Sequence, residues 1–216
     1  MLPESIKQCP VLKDLDMNEL INIFNTVHYN IKKFDKDILI MSAGDKCTNL
    51  MILINGSVRG EMTDFDGNIV KVEDIKAPKP IAPAFLFGDS NICPVNIIAN
   101  EFSQIIFIPK EEVIKMMQKN KTILNNYLNI ISNRTQFLSQ KVRLLSLKSL
   151  KKKIAYYYFT NYSNERNTQQ NLAEILGVTR PALARALREM EKEGIISFKR
   201  GKFKLIDIVK MQKLLK

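Results

Sequence analysis

The sequence holds three cysteines, one histidine and no apolar run that approaches membrane-spanning length. Each shortage excludes a class of function. Cys9, Cys47 and Cys93 lie far apart, are odd in number and have no paired spacing, so neither a disulfide framework nor a zinc site is expected. They read as buried or idle thiols. With His28 as the lone histidine, no glycine-rich phosphate loop and no clustered metal ligands, there is little from which to assemble a catalytic site or a metal centre. No membrane span is expected. The N-terminus MLPESIKQCP lacks the basic and apolar regions of a signal peptide, so the expected location is cytoplasmic.

What is present is unevenly spread. The formal net charge is +11, but residues 1–140 carry 15 basic and 16 acidic side chains, a net of −1, whereas 141–216 carry 18 and 6, a net of +12. A polyanion-binding surface is therefore expected in the last third, beside an ordinary neutral domain. At 216 residues and 45% hydrophobic content the chain can build two modest cores.

The stretch from Thr168 to Ile196, TQQNLAEILGVTRPALARALREMEKEGII, reads as two short helices joined by a tight turn. Leu172, Ala173, Ile175 and Leu176 give the first an apolar face; Leu183, Ala186, Leu187 and Met190 recur at helical steps in the second. Gly177 suits the left-handed residue that ends the first helix, and Thr179 caps the second, with Arg180 and Pro181 in its first turn. A small Ala173 lets the helices cross closely, as in a helix-turn-helix. Burying Leu183 and Leu187 turns Arg180, Ala184, Arg185 and Arg188 outward, and arginine pairs with both major-groove acceptors of guanine. Arg180, Arg185 and Arg188 are thus the expected base readers, and Thr168, Gln170 and Thr179 the expected phosphate contacts. Ile195–Phe198 and Phe203–Ile206 read as a hairpin whose basic tip places Lys199, Arg200 and Lys202 on phosphates. The alternative for the pair of helices is a hairpin with a solvated basic face, or one that binds protein instead of DNA.

Upstream, Asp16–Phe24 reads as a capped helix with Leu20, Ile21 and Phe24 on one face. From Val27 to Pro109, short apolar runs alternate with turn signals at Asp35–Asp37, Gly44-Asp45, Asn55-Gly56 and Asp66-Gly67-Asn68, followed by a proline-rich bend from Pro78 to Pro83. This predicts an antiparallel jelly roll. Lys110–Lys119 reads as a short helix and Lys121–Leu147 as a long one. Leu124, Leu128, Ile131, Thr135, Leu138, Val142 and Leu145 step along it by four and three, which is coiled-coil spacing and predicts a dimer seam; the alternative is packing against the β-domain of the same chain. Lys148–Tyr162 reads as a further helix whose run Lys151-Lys152-Lys153 is either solvated or on phosphates. Asp207 is expected to cap a last helix, Ile208–Leu215.

The fold class is therefore α+β: a β-roll over residues 1–120, a dimerisation helix over 121–147, and a winged helix-turn-helix over 148–216. That order resembles the CRP/FNR family of bacterial transcription regulators, most sharply in Thr168–Ile196, and more weakly in Gly44-Asp45 and Gly56-Ser57-Val58. The resemblance implies a homodimer on a palindromic operator, with double-stranded DNA and RNA polymerase as partners and no membrane. Arg180 and Arg185 match two base-reading positions of the family's recognition helix, but Pro181 replaces its usual glutamate, which puts the usual operator in doubt. The effector pocket implied by the likeness involves Phe85, Phe87, Gly88, Asp89, Asn96, Leu124 and Leu128.

Cyclic-nucleotide members place an arginine some ten residues after Gly-Glu to pair with the cyclic phosphate. Here Gly88-Asp89 begins similarly, but SNICPVNIIA follows without arginine or lysine, which disfavours cyclic AMP. Three scattered cysteines disfavour an iron–sulfur cluster. The stretch APAFLFG, Ala82–Gly88, is similar to the haem-dependent branch that controls nitrosative-stress genes; haem would need His28, a methionine or a cysteine as axial ligand, whereas a lone histidine such as His28 is more often a packed or surface residue.

Overall fold

A computed structural model describes residues 3–63, 66–160, 168–199 and 202–215, with Lys199, Lys202 and Phe203 described by backbone alone. Packing divides the chain into two compact units, Met1–Arg134 and Thr135–Lys216.

In the first unit, a 3-10 turn at Glu4–Gln8 precedes α1 (Met17–Thr26). The Asp16 carboxylate accepts the Glu19 N–H at 2.8 Å and the Glu19 carboxylate accepts the Asp16 N–H at 2.9 Å, a capping box that starts the helix as expected. Leu20 and Phe24, four residues apart, are buried; Ile21, expected beside them, lies off that stripe and is exposed.

Among the described residues eight strands follow: β1 (Asn30–Phe34), β2 (Leu39–Met41), β3 (Asn49–Asn55), β4 (Ser57–Thr63), β5 (Ile69–Lys76), β6 (Lys79–Ile81), β7 (Asn96–Ala99) and β8 (Ser103–Pro109). They form two antiparallel sheets of order β1-β8-β3-β6 and β2-β7-β4-β5, the jelly-roll arrangement that the turn signals predicted. Gly56 turns β3 into β4 at φ +85°, and a Cβ there would fall 2.5 Å from both Phe102 O and Ser103 Oγ, so only glycine fits. The bend expected at Pro78–Pro83 instead contains β6. Pro80, which has no N–H to give a ladder, is tolerated because β6 is an edge strand, paired among the described residues with β3 alone.

One core lies between the sheets, where Met51, Leu53, Ile81 and Ile105 meet Val58, Ile75 and Ile97. The alternate residues of the same strands, Leu50, Ile52, Ile54, Ile106 and Ile108, are buried on the other face against Leu20, Phe24, Val113, Met116, Ile123 and Tyr127. These come from α1, α2 (Lys110–Lys119) and the start of α3 (Lys121–Ser146). β3 and β8 are thus covered on both faces, which is why they read as unbroken apolar runs.

Helix α3 runs 26 residues without interruption. Ile123 and Tyr127 are buried in the first unit's core and Leu144 in the second's, so the packing boundary falls within the helix, upstream of the boundary between residues 147 and 148 expected from sequence. The rest of the second unit is α4 (Leu150–Thr160), α5 (Gln169–Leu176), α6 (Arg180–Lys192), the hairpin β9 (Ile196–Lys199) and β10 (Lys202–Leu205), and α7 (Ile208–Lys213). The Asp207 carboxylate caps α7, accepting the Lys210 N–H at 2.9 Å. Leu144, Ile154, Leu172, Leu176, Leu183, Leu187, Met190 and Met211 share one core. No helix among the described residues is long and apolar enough to cross a membrane.

Candidate nucleic-acid interface

The turn between α5 and α6 is built from backbone hydrogen bonds that the sequence dictates. The Thr168 hydroxyl accepts the Asn171 N–H at 3.1 Å and begins α5. Gly177 ends it at φ +65°, with its N–H on Glu174 O at 3.2 Å and the Val178 N–H on Ala173 O at 3.0 Å. These are the two bonds of a Schellman motif. The remaining carbonyls are met from outside the motif: Lys141 Nζ donates to Ile175 O at 2.6 Å and Lys153 Nζ to Leu176 O at 3.2 Å. Two cations thus sit on the negative end of the α5 dipole. The Thr179 hydroxyl then accepts the Ala182 N–H at 3.4 Å and restarts the chain as α6.

Ala173 is buried, as its place at the helix crossing requires, and α6 buries Leu183, Ala186, Leu187 and Met190. Arg180, Arg185 and Arg188 are exposed, and no ion pair among the described residues engages any of them. Ala184, expected on the same outer face, is half-buried. Glu189 and Glu193, by contrast, share Lys151 as an ion-pair partner at 3.0 and 2.8 Å, and the two carboxylates raise the pKa of that lysine. The lysines of the basic run therefore have separate roles, with Lys151 tying α4 to α6 and Lys153 capping α5. That division was hidden in the sequence, because a lysine that caps a distant helix looks like any solvated lysine.

Thr168, Gln170 and Thr179 are exposed at the starts of α5 and α6, with Gln170 donating to Glu174 at 2.7 Å. Lys199 and Lys202 face each other across the β9–β10 ladder; Arg200 lies outside the described residues.

The residues expected to form an effector pocket are not brought together. Phe85 packs into the core between the sheets, whereas Phe87 packs into the other core, edge-on to Tyr127 with ring centroids 5.5 Å apart. Gly88 and Asp89 are exposed, Asn96 accepts the Ala43 N–H at 2.8 Å, and Leu124 and Leu128 face outward. The contact from this stretch to α3 is made by Tyr127, which lies off the heptad stripe and donates to Pro83 O at 2.7 Å. Burial raises the pKa of its phenol. Asn91 to Cys93 lie along Asp45 to Cys47, joined by N–H bonds of 2.7 Å from Cys47 to Asn91 O and 2.8 Å from Cys93 to Asp45 O. No cation stands between Gly88 and Asn96, and Arg59 on β4 is committed to Asp37, Glu61 and Asn100. The residues of this segment do not fit a cyclic phosphate. Nor does His28, exposed ahead of β1, fit a haem ligand set in an apolar cleft.

Comparison with known proteins agrees with both units. Residues 31–120 match the cyclic nucleotide-binding domain family and residues 162–216 the Crp-like helix-turn-helix domain family. The cAMP-activated global transcriptional regulator CRP of Pasteurella multocida (strain Pm70) is 23% identical over 181 residues, 79% of this chain and 87% of that protein. A transcriptional regulator of Thermotoga maritima is similar over 61% of this chain and 98% of its own, at 26% identity and a TM-score of 0.55. The catabolite activator protein of Thermus thermophilus shares the fold over 95% of this chain and 98% of its own, at 16% identity and a TM-score of 0.58. With a β-roll in the first unit and a capped, arginine-faced helix-turn-helix in the second, the chain belongs to the CRP/FNR family of DNA-binding transcription regulators.

Proposed function

We propose that the protein is a homodimer that reads a two-fold symmetric duplex site, with residues 1–120 sensing an effector other than cyclic AMP, residues 121–147 dimerising, and residues 148–216 binding DNA. The observation that carries the DNA-reading role is the outer face of α6: Arg180, Arg185 and Arg188 are exposed and unpaired among the described residues, while the opposite face is locked into the core. Such a helix presents guanidinium forks to guanine edges in a major groove. Thr168, Gln170 and Thr179, together with Lys199, Arg200 and Lys202 of the hairpin, hold the flanking phosphates.

Support for the dimer comes from α3. Leu128, Leu138 and Val142 of the heptad stripe are 53%, 51% and 67% exposed, while Ile123, Tyr127 and Ile130 carry the packing against the first unit's own core. Ile131 of the stripe also packs against that core, but Leu128, Leu138 and Val142 lie away from the internally packed face, so packing against the same chain leaves that outer part of the stripe exposed. A second α3 covers it and sets two recognition helices on one duplex.

Selection of duplexes from a random library on the purified protein tests this reading. The expected product is an inverted repeat with half-site centres about 34 to 36 Å apart, bound with an affinity that falls steeply with salt. Retention of no duplex at low salt would favour a scaffold whose helix-turn-helix binds protein.

A further inference from the structure

The second unit contains a cleft that the DNA-reading role does not use. It lies between the C-terminal halves of α3 and α4 and the end of α5, with a volume of about 160 Å³, and the residues that line it all belong to that unit. Leu144, Ile175 and the rings of Phe137, Tyr156 and Tyr157 make its apolar wall. Leu144 is buried, and Ile175 and the two tyrosines are half-buried. The Arg143 guanidinium lies 5.3 Å from the centre of the Tyr156 ring, which holds that side of the wall in place.

Lys141 is the one charged side chain among the residues that line the cleft. Its Nζ donates to Ile175 O at 2.6 Å, and an ammonium has two further protons to give. Lys153, on the next carbonyl, Leu176 O, at 3.2 Å, adds a second positive charge at the same helix end. Two full cations outweigh the fractional negative charge of the α5 C-terminus, so this side of the cleft attracts an anion.

We propose that the cleft binds a small aromatic acid, with one ring between the apolar side chains and a carboxylate on Lys141. A cavity of about 150 Å³ lined by aliphatic and aromatic side chains holds a benzene ring, so there is room for a single ring and not for a nucleotide. The ring meets aromatic neighbours, and the carboxylate takes a charge-assisted hydrogen bond from the ammonium. Such a ligand touches α3, α4 and α5 together and ties the first helix of the helix-turn-helix to α3.

The test is calorimetric titration of the full-length protein, without DNA, with benzoate and with benzamide, an uncharged probe of the same shape. Benzoate is expected to saturate one site per chain, and benzamide to bind at least about tenfold more weakly. Lys141→Met keeps the aliphatic stem and removes the charge, and should bring benzoate to the benzamide level; Lys141→Arg should recover most of the loss. Because Lys141 also caps α5, Phe137→Ala gives a second reading. Phe137 is 55% exposed, so its truncation leaves the unit folded, and benzoate affinity should fall several-fold as the ring loses one wall. Lack of saturation at millimolar benzoate, equal affinity for the two probes, or undiminished benzoate binding in folded Lys141→Met or in Phe137→Ala would each overturn the proposal. None of these outcomes bears on DNA binding, which is tested separately.

Discussion

Arg185 and Arg188 stand on the side of α6 opposite Leu183, Ala186, Leu187 and Met190, and their value to the protein lies in what they do not touch. A guanidinium already paired within the chain would have to break that pair before reading a base. Arg185→Ala is expected to weaken specific binding by about 1 to 3 kcal/mol and to relax preference at one position in each half-site; anisotropy titrations on the selected duplex and on random duplex would reveal it. An equal loss on both would show that Arg185 contacts phosphate instead. Glu112 is the opposite case, a buried carboxylate whose partners are fixed. The Lys115 ammonium, bonded to it at 2.7 Å, holds its carboxyl below the usual range against the opposing effect of burial, with help from the His28 N–H. A depressed folded-state pKa means a stabilisation that is complete above the ordinary carboxylate range and lost as pH falls through the folded value. Glu112→Gln should therefore lower the melting temperature at neutral pH, and the gap from the parent protein should close in acid. A gap that stays constant through that range would contradict this account.

Helix α3 shows how far periodicity alone reaches. Steps of four and three identified a stripe, on which Leu128, Leu138 and Val142 are exposed. Ile131, though on the stripe, also packs against the first unit's core, so a charge there would disturb fold and dimer together. Val142 is free of that ambiguity at 67% exposure. Val142→Asp is expected to leave the chain folded but to sediment as a monomer, because pairing would bury two facing carboxylates; a variant that still sediments as a dimer would remove the stripe from the interface. The two-helix motif was legible almost residue by residue, since its caps, left-handed glycine and small crossing residue are local chemistry. The strand β6 was not legible, because Pro80 reads as a breaker until an edge position makes its missing N–H harmless.

At the scale of the whole chain, the charge asymmetry predicted where a polyanion would bind, and the helix-turn-helix falls in the basic part, 141–216. The first unit's packing was out of reach of the sequence for a physical reason: only tertiary pairing decides which neighbours meet. Phe85 and Phe87 are neighbours in sequence, yet they enter different cores; Cys47 and Cys93 are distant in sequence, yet they share one. The same pairing has a consequence for how the first unit opens. β3 is hydrogen-bonded along both edges and covered on both faces, whereas β5 is an outer strand with Ile69, Val70 and Val72 exposed. Deuterium can reach β5 by local fraying, but it reaches the amides of Asn49–Asn55 only when the unit as a whole comes apart, so that one strand serves as the clock for global unfolding of the first unit.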